Sequence, residues 1–304
     1  MLRKTLFPTL LLALWLTACG SATTSSGNLT FTDGLGREVK LEGPAQRVVS
    51  LAPSNTEILF AVGAGSQVIG RDELSDYPEE AKSLPSVGGS MGDFSSEVIV
   101  ALEPDLVLAS ELNAPELVSS LETLGLTVYY LSNPKTFEEL YQNLETVARL
   151  TGHEKEAGAL IESLEGRVQA VDEKIMPLSY HPLVFYELDA TDPLKPWTSG
   201  PDTFVDQLIT RAGGFNVGSS LQGEWAQISS EQLVAANPDI ILLGDALYGI
   251  TPESVKARPV WNSIKAVADD KIYPFNPDTA TRPGPRLVDA LEEMARLLHP
   301  EVFK

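Results

Sequence analysis

The chain has almost no cysteine and little histidine, and both shortages restrict its chemistry. Cys19 is the only cysteine among 304 residues, so no intrachain disulfide forms in any redox compartment. The three histidines, His153, His181 and His299, show no metal-ligand spacing. We therefore expect no metal site, and we expect each histidine at the surface.

Positive charge is scarce as well. The chain carries 22 Lys and Arg residues against 42 Asp and Glu residues, a net charge of −20. Without a dense basic patch, nucleic acid is excluded as a partner. Neither a Walker A sequence nor a G-x-G-x-x-G sequence is present, so a phosphate cradle is not expected.

One segment matches a catalytic motif. Residues 88–92 (GGSMG) fit the G-x-S-x-G pattern with Ser90 in the nucleophile position. Pro85 interrupts the apolar residues before it, so no long strand leads into the motif, which favours a plain glycine-rich loop. We expect no catalytic residue and no enzyme. A lipid-anchored serine hydrolase using Ser90 is the alternative from another functional class, and Ser90-dependent esterase activity would distinguish it.

Two stretches of the chain are nearly alike. Residues 93–110 (DFSSEVIVALEPDLVLAS) align without a gap with residues 227–244 (QISSEQLVAANPDIILLG). Each predicts a short serine-capped helix with a glutamate in its first turn, Glu97 or Glu231, followed by a short, wholly apolar strand. Two copies in separate halves of the chain indicate two similar lobes.

The N-terminus is typical of a bacterial lipoprotein signal. A basic start, an apolar stretch too short to span a bilayer and the run LTAC at residues 16–19 precede a Ser/Thr-rich segment. We expect a signal peptide over residues 1–18, lipidation of Cys19 and a tether over residues 19–28.

The mature chain predicts an α/β fold. Strands alternate with helices over residues 29–134, two long amphipathic helices fill residues 135–177, and the alternation returns over residues 178–304. The pattern predicts two Rossmann-like lobes with parallel sheets, joined by a long rigid backbone helix.

Several segments together resemble the substrate-binding lipoproteins of ABC importers for cobalamin and iron chelates. They are the lipobox, RVVSLAPSNTEILFAVG, SDYP, ALEPDLVL, the helical rod and the terminal RPGPRLVDALEEMARLL. The resemblance covers essentially the whole mature chain. It implies a class III periplasmic binding protein fold, a solute cleft between the lobes, and permease and ATPase partners. It also implies an extracytoplasmic location on a lipid anchor, and we expect a monomer.

The resemblance is most specific to the cobalamin-binding branch, and it implies candidate contact residues. They are Trp225, Asp278, Arg282, Tyr77 and Ser54. Leu74, Ser90 and Ser110 depart from this branch, which tends to carry aromatic residues there. A corrinoid is therefore the expected transported ligand, with a ferric siderophore or haem as the alternative in the same family. No resident cofactor is expected.

Two further candidates come from the strand pattern, which predicts Trp197 and Tyr186 on loops at the carboxyl ends of strands. Simpler roles remain open for the residues already named: Trp225 in the core, Asp278 with Arg282 as a surface ion pair, and Tyr77 as a loop anchor. The resemblance further implies that Glu97 and Glu231 dock onto arginines of the permease. The alternative is that each only complements its helix dipole.

Overall fold

A computed structural model describes residues 29–89 and 93–303. The signal peptide, the tether with Cys19, and Ser90 lie outside the described residues. Within the part described, no helix is both long and apolar enough to cross a membrane.

The N-terminal lobe is built on a parallel sheet. Its strands are β1 Leu29–Thr32, β2 Glu38–Leu41, β3 Val48–Ser50, β4 Val68–Arg71, β5 Leu106–Ser110 and β6 Val128–Leu131, and its helices are α1 Pro53–Ala61, α2 Ser96–Ala101 and α3 Pro115–Thr123. The first two strands pair as the expected hairpin, and the other four form a parallel sheet in the order β4-β3-β5-β6. Helix α1 begins at Pro53, because a proline suits the first turn of a helix.

Two helices connect the lobes: α4 Phe137–Thr151 and α5 Glu154–Ile175. Thr136 caps α4 through its side chain, and Gly152 ends the helix in a left-handed conformation. Helix α5 has 22 residues and is therefore about 33 Å long. This is the predicted backbone helix.

The C-terminal lobe repeats the architecture. Its strands are β7 Leu183–Glu187, β8 Trp197–Ser199, β9 Phe215–Asn216, β10 Trp225–Gln227, β11 Ile240–Leu243 and β12 Ile272–Pro274, and its helices are α6 Phe204–Arg211, α7 Ser230–Ala236, α8 Pro252–Lys256, α9 Lys265–Ala268, α10 Pro277–Thr281 and α11 Leu287–Leu298. Four strands form a parallel sheet in the order β12-β11-β7-β9, and β8 pairs antiparallel with β10. The two-lobed α/β fold is confirmed, whereas the domain boundaries stay a prediction.

One local expectation is wrong. The Pro-rich, polar composition of residues 276–285 predicts a loop, but the segment contains α10, which Pro277 opens and the Asn276 side chain caps. Short 3-10 helices also occur at Gly65–Gln67, Glu79–Ser83, Val217–Ser220, Ala246–Tyr248 and Trp261–Ser263.

One buried cluster runs through the whole molecule. It includes Leu106 in the first parallel sheet, Leu164 in α5, Leu242 in the second sheet and Leu291 in α11. The connecting helices therefore share a core with both sheets, which fixes the lobes to a common support.

Candidate functional site

The order of strands in each sheet marks where a ligand fits. In both lobes the chain moves first to one side of the starting strand and then to the other, so the direction reverses between β3 and β5 and between β7 and β11. In open α/β sheets, ligands bind beyond the carboxyl ends of strands at such a reversal. The expected positions are residues 51–55 and 110–113 in one lobe, and residues 188–190 and 244–248 in the other.

Two neighbouring cavities lie at these strand ends. The smaller, about 100 Å³, lies between the lobes, with Glu111 and Asn133 on one wall and Trp225 and Thr281 on the other. The larger, about 590 Å³, belongs to the C-terminal lobe and also contacts Thr281; its other lining residues include Asp189, Asp245 and Tyr248. We call the two together the cleft. The volume of the larger cavity is in the range of small-molecule sites.

Two tryptophans form an aromatic surface beside the cleft. In the antiparallel β8–β10 pair, Trp225 is opposite Ser199 and Trp197 is opposite Gln227. Residues two apart on a strand share a face, so Trp197 and Trp225 are diagonal neighbours on one face of this ribbon. They are 40% and 43% exposed, so Trp225 is not a core residue. Trp197 lies in a strand, not in the predicted loop.

A buried ion pair connects the two lobes. Arg286, just before α11, donates from Nε to Glu57 Oε2 at 2.8 Å, and its Nη2 donates to Glu57 Oε1 at 2.5 Å. Glu57 lies in α1 with its side chain only 2% exposed, and burial raises its pKa against the opposing effect of Arg286. The Arg286 guanidinium also lies over the Tyr77 ring, 4.1 Å from its centroid. Tyr77 thus anchors its loop to the other lobe.

Arg282 belongs to the same interlobe contact. Its Nη1 donates to Asp76 Oδ1 at 2.6 Å, and Nη2 lies 3.0 Å from Asp278 Oδ1. Asp278 and Arg282 therefore form the ion pair that sequence reasoning kept as the simpler alternative, and Arg282 extends it to the N-terminal lobe. We call Glu57, Asp76, Arg282 and Arg286 the interlobe latch.

Two other candidate residues do not reach the cleft surface. Ser54, in the first turn of α1, is buried. Tyr186 lies within β7 and not on the predicted loop, because its segment continues the sheet opposite Leu242. Its side chain is fully buried, and burial raises the pKa of its hydroxyl.

Sequence reasoning missed residues that line or border the cleft. Asp245, at the end of β11, lines the larger cavity, and Tyr248 beside it is 83% exposed. Leu112, just after β5, is also exposed at the corresponding edge of the other sheet. Their place in the sequence could have identified these residues, because each follows a predicted buried strand within five residues, where the ligand-binding edge of a parallel sheet begins.

The repeated glutamates have matching surroundings. The Ser95 hydroxyl accepts from the Val98 N–H at 3.3 Å, and Ser229 forms a complete capping box with Gln232. Glu97 and Glu231 are both exposed in the first turns of α2 and α7. Both helices start near the carboxyl-end edges of their sheets, because a crossover helix runs against its strands.

The histidines do not assemble a metal site. Among the described residues, no group of three His, Cys, Asp or Glu side chains could hold a metal ion. His299 is buried, so the expectation of a surface histidine is wrong there: its Nε2 lies 3.1 Å from the Gly213 carbonyl. The expectation failed because the chain after α11 folds back onto the core.

Comparisons with known proteins agree on one group. The sequence profile of the periplasmic binding protein family matches residues 48–279. An uncharacterised ABC transporter substrate-binding lipoprotein of Bacillus subtilis is 33% identical over 281 residues, covering 91% of this chain and 87% of the relative. A vitamin B12-binding protein of Vibrio campbellii is 31% identical over 258 residues, 83% of this chain and 89% of the relative. A periplasmic haem-binding protein of a Roseiflexus species has a similar structure, with a TM-score of 0.75 and 27% identity over 85% of this chain and 99% of that one.

Proposed function

We propose that this chain, which belongs to the periplasmic binding protein family, carries a cobalamin-type corrinoid. Members of this family are substrate-binding proteins of ABC transporters and are not enzymes. The solute binds in the cleft and passes to a permease and its ATPase. The protein acts outside the cytoplasm as a monomer, lipid-anchored through Cys19.

The pair of tryptophans carries the corrinoid proposal. A corrin ring is flat and is surrounded by amide groups, so it needs an aromatic face and several fixed polar groups. Trp197 and Trp225 share a face of the β8–β10 ribbon, and Trp225 lines the cleft. The likeness to a vitamin B12-binding protein over most of both chains supports the same choice.

Haem is the second candidate, because a haem-binding protein has a similar structure over nearly its whole length. A haem would use the same aromatic face, but its carboxylates would meet Glu111, Asp189 and Asp245 in the cleft walls. Like charges disfavour that ligand. A ferric siderophore remains the third possibility within the family.

The test uses the soluble protein from Gly20 onward. Cyanocobalamin, haemin and a ferric hydroxamate siderophore are each titrated by difference spectroscopy and calorimetry. We expect saturable one-to-one binding of cyanocobalamin alone. Saturable binding of haemin or the siderophore without cyanocobalamin binding would refute the corrinoid proposal and leave the family unaffected.

Glu97 and Glu231 are the proposed docking residues. They occupy equivalent, exposed places in the two lobes and so present the same charge twice to a partner with two-fold symmetry. The acidic chain would also attract basic permease loops at long range.

A further inference from the structure

Two buried carboxyl groups lie near each other at the carboxyl ends of β7 and β11, and only one has a cation. Glu187, the last residue of β7, is fully buried and accepts two hydrogen bonds from the Arg258 guanidinium, one of them at 2.7 Å. The same guanidinium stacks on Trp261, 4.5 Å from the ring centroid. Arg258 is thus held on Glu187, and Asp245 forms no ion pair with any described residue.

Asp245 has one satisfied oxygen and one unsatisfied oxygen. The residue is only 4% exposed, and its Oδ2 accepts from the Ala190 N–H at 3.1 Å. Among the described residues Oδ1 has no hydrogen-bond donor. Burial and, after it, the charge of the adjacent Glu187 together raise the pKa of Asp245 to about 7. Near neutral pH, Asp245 is therefore protonated in part of the molecules.

This carboxyl pair lies where the fold predicts a ligand. Asp245 follows β11 at the point where the strand order reverses, and it lines the larger cavity. The Tyr186 hydroxyl is a second buried polar atom without a partner among the described residues. It lies beside Gly244, where an added methyl group would be 2.4 Å from Tyr186 Oη. The missing side chain at Gly244 leaves room for this hydroxyl.

The geometry points to Asp245 as a recognition residue that accepts a hydrogen bond from an amide or ammonium group of the solute. The solute's N–H takes the place of the proton on Asp245, and that proton passes to water. This inference rests on the proposed function, because it assigns a residue of the same cleft. A solute with carboxylates at this point meets like charge, so Asp245 selects against it.

Several other titratable or charged groups face this pair. They are Tyr186 from β7, Asp189 after β7, Arg258 after α8, and Asp278 in α10, which acts on Tyr186. Arg258 is the one cation among them, and it already pairs with Glu187. A cationic or amide-bearing solute therefore supplies what Asp245 lacks.

The experiment compares the wild type with Asp245→Asn and with Asp269→Asn, a control at an exposed aspartate outside the cleft. Calorimetry with cyanocobalamin at pH 7, in two buffers of different ionisation enthalpy, counts the protons released on binding. We expect release of a fraction of one proton from the wild type and from Asp269→Asn. We expect no release from Asp245→Asn, with an affinity about tenfold to a hundredfold weaker.

Equal proton release and equal affinity in Asp245→Asn and wild type would overturn the inference. If wild type binds no cyanocobalamin, the proposed corrinoid function fails first, and a second measurement still decides the matter. Carbon-13 NMR of labelled aspartate in the unliganded protein should show one carboxyl that titrates near pH 7 and is absent in Asp245→Asn. The absence of any such carboxyl in wild type would also overturn the inference.

Discussion

Replacing Arg286 with methionine should destabilise the protein strongly. The change removes both hydrogen bonds to Glu57 and the contact with the Tyr77 ring while keeping similar volume. Glu57 would stay buried with Arg282 as its remaining cation, 3.6 Å away. Removing one partner of a buried ion pair costs about 3–5 kcal/mol. Because Arg282 still offsets part of the charge, we expect a loss of about 2–4 kcal/mol in the free energy of unfolding.

The assay is equilibrium unfolding in urea followed by circular dichroism. The double variant Glu57→Gln/Arg286→Met removes both charges, so it should recover more than half of the loss. Lys40→Met is the control, because Lys40 forms only an exposed ion pair with Glu38 and its loss should change the stability little. The reasoning is refuted if Arg286→Met costs no more than Lys40→Met, or if the double variant is no more stable than Arg286→Met.

Four further predictions follow from the proposed roles. Cys19→Ser should abolish labelling by a radioactive fatty acid, because the acceptor thiol is gone. Trp225→Ala should weaken cyanocobalamin binding by roughly 1–3 kcal/mol in calorimetry, the cost of truncating a buried interface aromatic, and should reduce the fluorescence change on binding. Reversing both docking charges, Glu97→Arg with Glu231→Arg, should abolish uptake by cells while affinity in solution stays unchanged. The pKa of Asp245 is about 7 in the folded protein against the ordinary 3.8, so the free energy of unfolding of the wild type should fall by about 2–4 kcal/mol as pH rises from about 4 to about 7. Urea unfolding of Asp245→Asn should not show this loss.

Each of these has a contradicting result. If the wild-type protein carries no lipid, the interpretation of residues 16–19 as a lipobox is wrong. Unchanged affinity in correctly folded Trp225→Ala and Arg282→Ala would move the solute site elsewhere. Uptake that survives the double charge reversal would leave the two glutamates as helix-end residues. A pH profile of unfolding that is the same in Asp245→Asn as in wild type would mean that Asp245 titrates alike in the folded and unfolded protein.

Local pattern was enough to predict most strands of the two parallel sheets and most of the longer helices. Short apolar runs such as residues 106–109 and 240–243 indicate buried strands when helices flank them, because a strand that is covered on both faces needs no alternation of polar and apolar residues. The serine caps of α2 and α7 are also local, since each bonds an N–H three residues away. The two similar lobes could be predicted for the same reason, because the two matching segments are also local patterns.

Distant pairings could not be predicted in this way. Glu57 and Arg286 are separated by 229 residues, and neither has a local pattern that distinguishes it from a surface residue. Tyr186 alternates with its neighbours like any strand residue, so its burial depends on what covers each face of the sheet. Asp245 reads as a polar turn residue after a strand, and only the folded chain places Glu187 beside it.

The continuous core through α4 and α5 has a consequence for transport. A hinged receptor with two separate cores can let its solute go by thermal opening, at no cost to either core. Here both walls of the cleft rest on the same packed interior, and the interlobe latch adds a buried ion pair between them. Spontaneous opening would have to disturb that interior. We therefore expect release of the proposed solute to be slow until a permease holds the two lobes and forces them apart, so that the importer sets when the solute is released.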